Sequence, residues 1–338
     1  MRAIKFLGAN QIAQVQAEEP TIKEGEAKLK VAYAGICGSD INIYGGTHPR
    51  AKAGLIMGHE FSGTLCNDVG EFKKGDRVAV YPLISCGKCT PCINGNKHVC
   101  NTLGLYGIDK DGGFADYVAV PEDTLVKLPD TLSLKLGALI EPIAVAVHTI
   151  RETPFTPGDN AIIFGAGPIG LCVALTMRLL GARDIVVAET DEKRLAIAKE
   201  LGFTTVNPIE QDIIEYTKQK TNGDGFDTVL DCAGAQAVAN LLFDVIKVKG
   251  QLIIVAAYKK PAELPLFKGH VKELAIKFVR VYRKHDVEIA TDLAQKEPLF
   301  EKLITHVLSP EEAQKGFDLF HTKGSGAVKI MYKFGEED

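Results

Sequence analysis

One stretch constrains the fold more than any other. Gly165-Ala166-Gly167-Pro168-Ile169-Gly170 follows directly on the short apolar run Asn160–Phe164. Behind it Ile169, Cys172, Val173, Thr176 and Leu180 recur at helical spacing, and Gly181 ends the run. A buried strand, a glycine turn and a helix in that order predict the opening unit of a doubly wound parallel sheet. Gly165 permits the tight turn, Gly167 lets backbone approach a pyrophosphate, and Gly170 lets the helix pack closely on the sheet. Pro168 and Ile169 open the helix, whose unpaired N–H groups and positive dipole end suit phosphate. Glu189 closes the next strand, Asp184–Glu189, nineteen residues after Gly170. A carboxylate there accepts hydrogen bonds from ribose hydroxyls and repels a 2′-phosphate, which favours NAD over NADP. Lys193 and Arg194, one turn further on, pull the other way, and Arg194 joins the cofactor-binding candidates.

The strand and helix signals continue through Asp191–Leu201, Asp227–Asp231 and Gln251–Val255, the alternation expected of an α/β domain. The first 150 residues read differently. Alternating runs at Ala27–Tyr33, Arg77–Tyr81 and Ala115–Val120 are cut by Gly-Gly pairs and prolines, which predicts a β-rich, partly barrel-like domain. From about Arg280 mixed helix and strand run on, too short for a domain of their own. The expected division is therefore 1–148 with 281–338 as one domain and 149–280 as the nucleotide-binding domain, in keeping with a length of 338 residues. With 46% hydrophobic and 24% charged residues the chain is not disordered. A net charge of −4 without long runs of either sign offers no footprint for nucleic acid or an anionic membrane. Nothing resembles a secretory signal or a membrane span, so a cytoplasmic protein is expected.

The eight cysteines are unevenly placed. Cys86, Cys89, Cys92 and Cys100 crowd into fifteen positions and supply four thiolates from one loop. Such a set closes a tetrahedral structural zinc site, with an iron–sulfur cluster as the competing reading. Cys66, Cys172 and Cys232 are assigned to packing.

The remaining segments carry a resemblance. Gly35-Ile36-Cys37-Gly38-Ser39-Asp40, Gly58-His59-Glu60, Gly75-Asp76-Arg77-Val78, Asp111–Ala115, Ala138-Leu139-Ile140-Glu141-Pro142 and Leu303–Leu308 join the cysteine loop and the glycine loop. Together they resemble the zinc-dependent medium-chain dehydrogenase/reductase family along nearly the whole chain, and within it the sorbitol and galactitol-phosphate (polyol) dehydrogenase branch. The resemblance implies a GroES-like catalytic domain beside a Rossmann domain, two zinc ions per chain, and NAD. It also implies a catalytic zinc on Cys37, His59 and a carboxylate, for which Glu60 and Glu141 compete. Ser39 would take the substrate's hydroxyl proton, and hydride would pass to the nicotinamide. Many relatives continue the proton path through a histidine where this chain has Asn42. Of the Arg-Tyr pair that touches substrate in sorbitol dehydrogenases, Val281 stands at the arginine and only Tyr282 remains.

The expected substrate is thus a small molecule, a secondary alcohol of a polyol, sugar acid or sugar phosphate, the last clamped by the basic loop of His48, Arg50 and Lys52. L-Threonine 3-dehydrogenase and butanediol dehydrogenase activities are the alternatives. An NAD-binding regulator is the non-enzymatic one, disfavoured because both metal sets are complete. A homodimer or homotetramer, joined through the nucleotide domain, is also implied.

Overall fold

A computed structural model describes residues 1–322 and 324–335. The chain divides into two compact units, Met1–Ala144 with the residues from Tyr282 onward, and Val145–Val281.

The second unit holds six strands in the spatial order Thr204–Val206, Asp184–Ala188, Asn160–Phe164, Phe226–Asp231, Ile246–Ile254 and Ala275–Phe278. Every neighbouring pair is parallel. The chain starts in the middle at Asn160–Phe164, winds outward to one edge, then returns to wind toward the other. The strand order therefore reverses at Asn160–Phe164, the place where doubly wound sheets open a crevice for ligands. The glycine loop stands there, followed by the helix Pro168–Leu179. Apolar residues fill the middle strands because helices cover both faces, and Ile162, Ile163, Val229, Leu230 and Leu252 are fully buried. The strand expected at Gln251–Val255 begins five residues earlier, at Ile246. Its first half, with Lys247 and Lys249, hid it from an apolar pattern.

The first unit is organised by the ten-residue strand Glu26–Gly35. It lies between Glu60–Leu65 and Lys329–Lys333 in a sheet that continues through Arg77–Val80 and Leu125–Lys127 on one side and Ile304–Leu308 on the other. The early half of Glu26–Gly35 pairs with Tyr117–Pro121 and the late half with Lys329–Lys333. The burial pattern follows this change of partner. Ala27, Leu29 and Val31 alternate with more exposed residues, whereas everything from Val31 to Gly35 is buried.

A bulge marks the switch. Val31 pairs with Gly63 but Tyr33 with Ser62, so Ala32 is the extra residue. The bend leaves Gly35 opposite Glu60 and aims the following Cys37 at the same place. A side chain at residue 63 does not fit this geometry, because a Cβ there would lie 2.0 Å from the Lys30 carbonyl oxygen. No helix among the described residues is long and apolar enough to cross a membrane. Gly63→Ala is expected to destabilise the protein by about 2 kcal/mol through forced separation of the two strands, measured by urea unfolding. Wild-type stability in that variant would show that the bulge relaxes freely.

Candidate active site

Three ligand-type side chains meet at the end of the organising strand. Cys37 leaves Glu26–Gly35 and caps the short helix Gly38–Tyr44, while Glu60 opens the neighbouring strand and His59 immediately precedes it. One ligand atom from each of Cys37, His59 and Glu60 lies within 4.8 Å of the others. His59, Glu60 and Asp40 are buried. The Asp40 carboxylate accepts the Cys37 backbone N–H at 2.9 Å and faces His59 Nδ1 at 3.8 Å. That leaves His59 Nε2 turned inward, 3.4 Å from the Ser39 hydroxyl. At that distance the carboxylate acts on the imidazole as a charge, on the side away from Nε2.

Glu60 is held by a residue from the far end of the chain. Lys329 Nζ donates to both Glu60 oxygens, at 2.7 and 2.5 Å, and to the Ile36 carbonyl at 3.0 Å. Room for the carboxylate exists because residue 35 is glycine, where a Cβ would sit 2.3 Å from Glu60 Oε2. Glu141, near the start of the helix Ile140–Arg151, is placed otherwise. Its Oε1 accepts the Tyr282 hydroxyl at 2.6 Å. Burial first, and then the Glu60 charge, push the Glu141 carboxyl up to about 7. Burial should lower the His59 pKa, yet Asp40 and the Cys37 thiolate outweigh it and hold it well above its ordinary value. Four acidic groups, Cys37, Asp40, Glu60 and Glu141, thus share one buried permanent cation, Lys329. The neighbouring Asp40 Oδ1 and His59 Nδ1 find no hydrogen-bond partner. Sulfur, imidazole and carboxylate donors under such excess negative charge fit a divalent zinc ion with one position open.

The four clustered cysteines form a different kind of site. All four sulfurs lie within 4.8 Å of one another, with Cys89 Sγ 3.4 Å from Cys92 Sγ and 3.8 Å from Cys100 Sγ. Sulfurs arranged tetrahedrally around one zinc at about 2.3 Å stand about 3.8 Å apart, so the spacing fits a single ion rather than a cluster of irons. Backbone N–H groups of Lys88 and Cys89 bring the Cys86 thiol down to about 6. With every position filled by protein, the set is closed to substrate.

In the nucleotide unit Gly165 takes φ +103° and Gly167 precedes the helix, with Pro168 at its first position. A Cβ at Gly170 would lie 1.9 Å from the Gly165 carbonyl oxygen, so helix and loop touch only because both are bare. Glu189 stands immediately after Asp184–Ala188. It accepts the Ala166 backbone N–H at 2.8 Å and those of Thr190 and Asp191 at 2.7 and 3.0 Å. The carboxylate therefore tethers the glycine loop to the adjacent strand. Ile169 and Arg194 lie in the first turns of their helices, and Asp191 caps the second.

In the basic loop, Arg50 Nη1 is 3.0 Å from Asp109 and donates to the Leu103 carbonyl at 2.6 Å. The His48 ring accepts the Arg50 backbone N–H at 3.4 Å, and Lys52 is exposed. Arg50 is thus committed within the protein. Reading the sequence alone missed Lys329. The available signal was a lone lysine inside the otherwise apolar run Ala327–Tyr332, where every neighbour is buried.

Comparison with known proteins agrees with this geometry. Residues 23–130 match the alcohol dehydrogenase GroES-like domain, and residues 168–296 match the zinc-binding dehydrogenase domain. A 2-dehydro-3-deoxy-L-galactonate 5-dehydrogenase of Pseudoalteromonas atlantica is 35% identical, covering 87% of each chain. A sorbitol dehydrogenase of Halalkalibacterium halodurans is 34% identical over 96% of each. The Escherichia coli RspB dehydrogenase, solved with NADH, superposes with a TM-score of 0.90 at 29% identity, covering 98% of this chain and 99% of that one.

Removing the cation from the Glu60–Lys329 pair should expose the cost of a buried charge. Lys329→Met is expected to destabilise the zinc-free protein by about 3–5 kcal/mol, whereas adding Glu60→Gln should return much of that loss. Equal stabilities of the single and double variants in urea would contradict the pairing.

Proposed function

We propose that this chain, which belongs to the zinc-dependent medium-chain dehydrogenase/reductase family, oxidises a secondary alcohol on a polyhydroxylated carbon chain, a sugar alcohol or sugar acid, with NAD as hydride acceptor. The observation that carries the reading is the trio Cys37, His59 and Glu60, ringed by further buried carboxylate and next to the Ser39 hydroxyl. When bound, zinc supplies Lewis acidity toward a substrate hydroxyl, and NAD supplies the hydride-accepting ring.

The chain's own residues divide the rest of the work. Cys37, His59 and Glu60 hold the metal, and Cys86, Cys89, Cys92 and Cys100 hold a second, structural one. Asp40 places a carboxylate behind His59, and Lys329 holds Glu60 in place. Ser39 accepts the hydroxyl proton. Asn42 does not titrate and so does not carry that proton onward. Tyr282 holds Glu141 aside from the trio, where its carboxylate can accept hydrogen bonds from neighbouring substrate hydroxyls. Gly165, Gly167, Gly170 and the helix start at Pro168 and Ile169 receive the pyrophosphate. Glu189 and Arg194 would meet the adenosine ribose.

A polar, carboxylate-lined site suits a polyol better than a bare alkyl alcohol, and two relatives are named for a polyol and a sugar acid. Because Asp109 engages Arg50, a phosphate clamp is left with Lys52 and His48 alone. A homodimer or homotetramer in the cytoplasm completes the reading. Edge strand Ala275–Phe278 supports it, exposed along its length with Phe278 69% open, as a strand that continues into a second copy would be.

The test is an oxidation screen with NAD and NADP across free polyols, sugar acids, sugar phosphates, butanediol and threonine. Polyols or sugar acids with NAD should give the highest kcat/KM. Butanediol or threonine as the best substrate would replace the polyol reading. Metal content tests the two sites apart. Cys37→Ala should retain about one zinc per chain and its fold, with no activity, whereas Cys89→Ser should impair folding itself. One zinc per chain in fully active wild-type protein would refute the assignment.

A further inference from the structure

We propose that the catalytic unit carries a second binding site, for a small oxyanion bearing phosphate or carboxylate groups, between the four-cysteine lobe and the start of the helix Lys284–Lys296. A cavity of about 420 Å³ lies there. That is the size of a small-metabolite pocket. Cys37, His59 and Glu60 take no part in its lining.

Four cationic side chains converge on it from three separate segments, Lys97, Lys110 and the adjacent Arg283 and Lys284. Several are positioned by neutral groups, which fix a cation without cancelling its charge. Lys284 Nζ donates to the Asp123 carbonyl oxygen at 2.7 Å. The Lys110 ammonium lies 5.5 Å from the centre of the Tyr106 ring. Arg283 Nη2 donates to the Asn96 side-chain oxygen at 3.1 Å. Acidic groups near this region are Asp123, on the lining, Asp286, whose carboxylate accepts the Arg283 backbone N–H at 2.8 Å, and Glu26, whose charge reaches the Tyr106 hydroxyl. On the lining itself positive charge therefore exceeds negative.

Tyr81 and Tyr106 form apolar walls. Burial, followed by the charges of Asp286 and Asp123, pushes the Tyr81 hydroxyl far up, so it stays protonated and able to donate. A guanidinium fork, ammonium groups and a phenol around a half-enclosed space are the donors that bind phosphate or carboxylate oxygens. A neutral ligand would gain less from these donors than an anion, and the volume is too small for a folded segment of another protein.

The experiment uses zinc-loaded enzyme saturated with NADH, so that the glycine loop is already filled. Isothermal calorimetry with inorganic phosphate and, separately, with tricarballylate is run against potassium chloride at equal ionic strength. One or both anions should bind at one site per chain, with phosphate alone assigning the phosphate class and tricarballylate alone the carboxylate class. Lys97→Gln and Lys110→Gln should each weaken binding about tenfold while leaving zinc content and NADH affinity unchanged. Failure of both anions to bind, heats matched by potassium chloride, or undiminished affinity in the double variant would overturn the proposal.

Discussion

A buried carboxylate needs a counter-charge, and much of the catalytic unit is arranged around supplying one to Glu60. The Glu60–Lys329 pair is sealed from water, with 1% exposure at each residue. Such a pair contributes little net stability over an apolar substitute, yet breaking it is costly. Its use lies in where it puts charge. Lys329 sits on a strand that pairs beside Tyr33–Gly35, and Glu60 on the strand at the other edge of the same residues. The ammonium thus crosses over a glycine to reach the carboxylate. Cys37 and His59 inherit their positions from the same strand ends, so sheet register and metal geometry are set together.

The two metal sites solve opposite problems. In the cysteine lobe, backbone N–H groups stabilise the thiolates of Cys86 and Cys100 in a partly exposed loop, and the ligands close on themselves. Around Cys37 and His59 the stabilising groups are side chains from distant segments, and the ligand set stays incomplete. A closed site can therefore serve a local lobe, while the open one needs the whole unit assembled around it.

That difference also decides what could be read from the amino-acid order. The glycine loop, its flanking strand and helix, and the cysteine loop are local, and each was legible because the residues that cooperate lie within one turn or loop. Strand ends shifted where pairing, rather than hydrophobicity, fixed them, by five residues at the start of Ile246–Ile254. Cys37, His59, Glu60 and Glu141 were legible only through family resemblance, since single residues far apart carry no spacing signal. Lys329 and the Tyr282–Glu141 hydrogen bond were not legible as contacts. The first depends on the strand Lys329–Lys333 joining a sheet begun near residue 26 and the second on Tyr282 meeting the helix Ile140–Arg151, and nothing local announces either contact.

The separation of Glu60 from Lys329 bears on how the protein is made. The two are 269 residues apart, so a ribosome completes Glu60 long before its counter-ion exists. At roughly 5–20 residues per second the delay is about 10–50 seconds. During that interval the Glu26–Gly35 strand lacks one neighbour, and burying Glu60 would strand an unpaired charge. The nascent catalytic unit must therefore stay open at this edge while the nucleotide unit, which is contiguous in sequence, emerges whole. The catalytic centre is accordingly completed only after the whole nucleotide unit has been translated, when the strand Lys329–Lys333 closes its sheet.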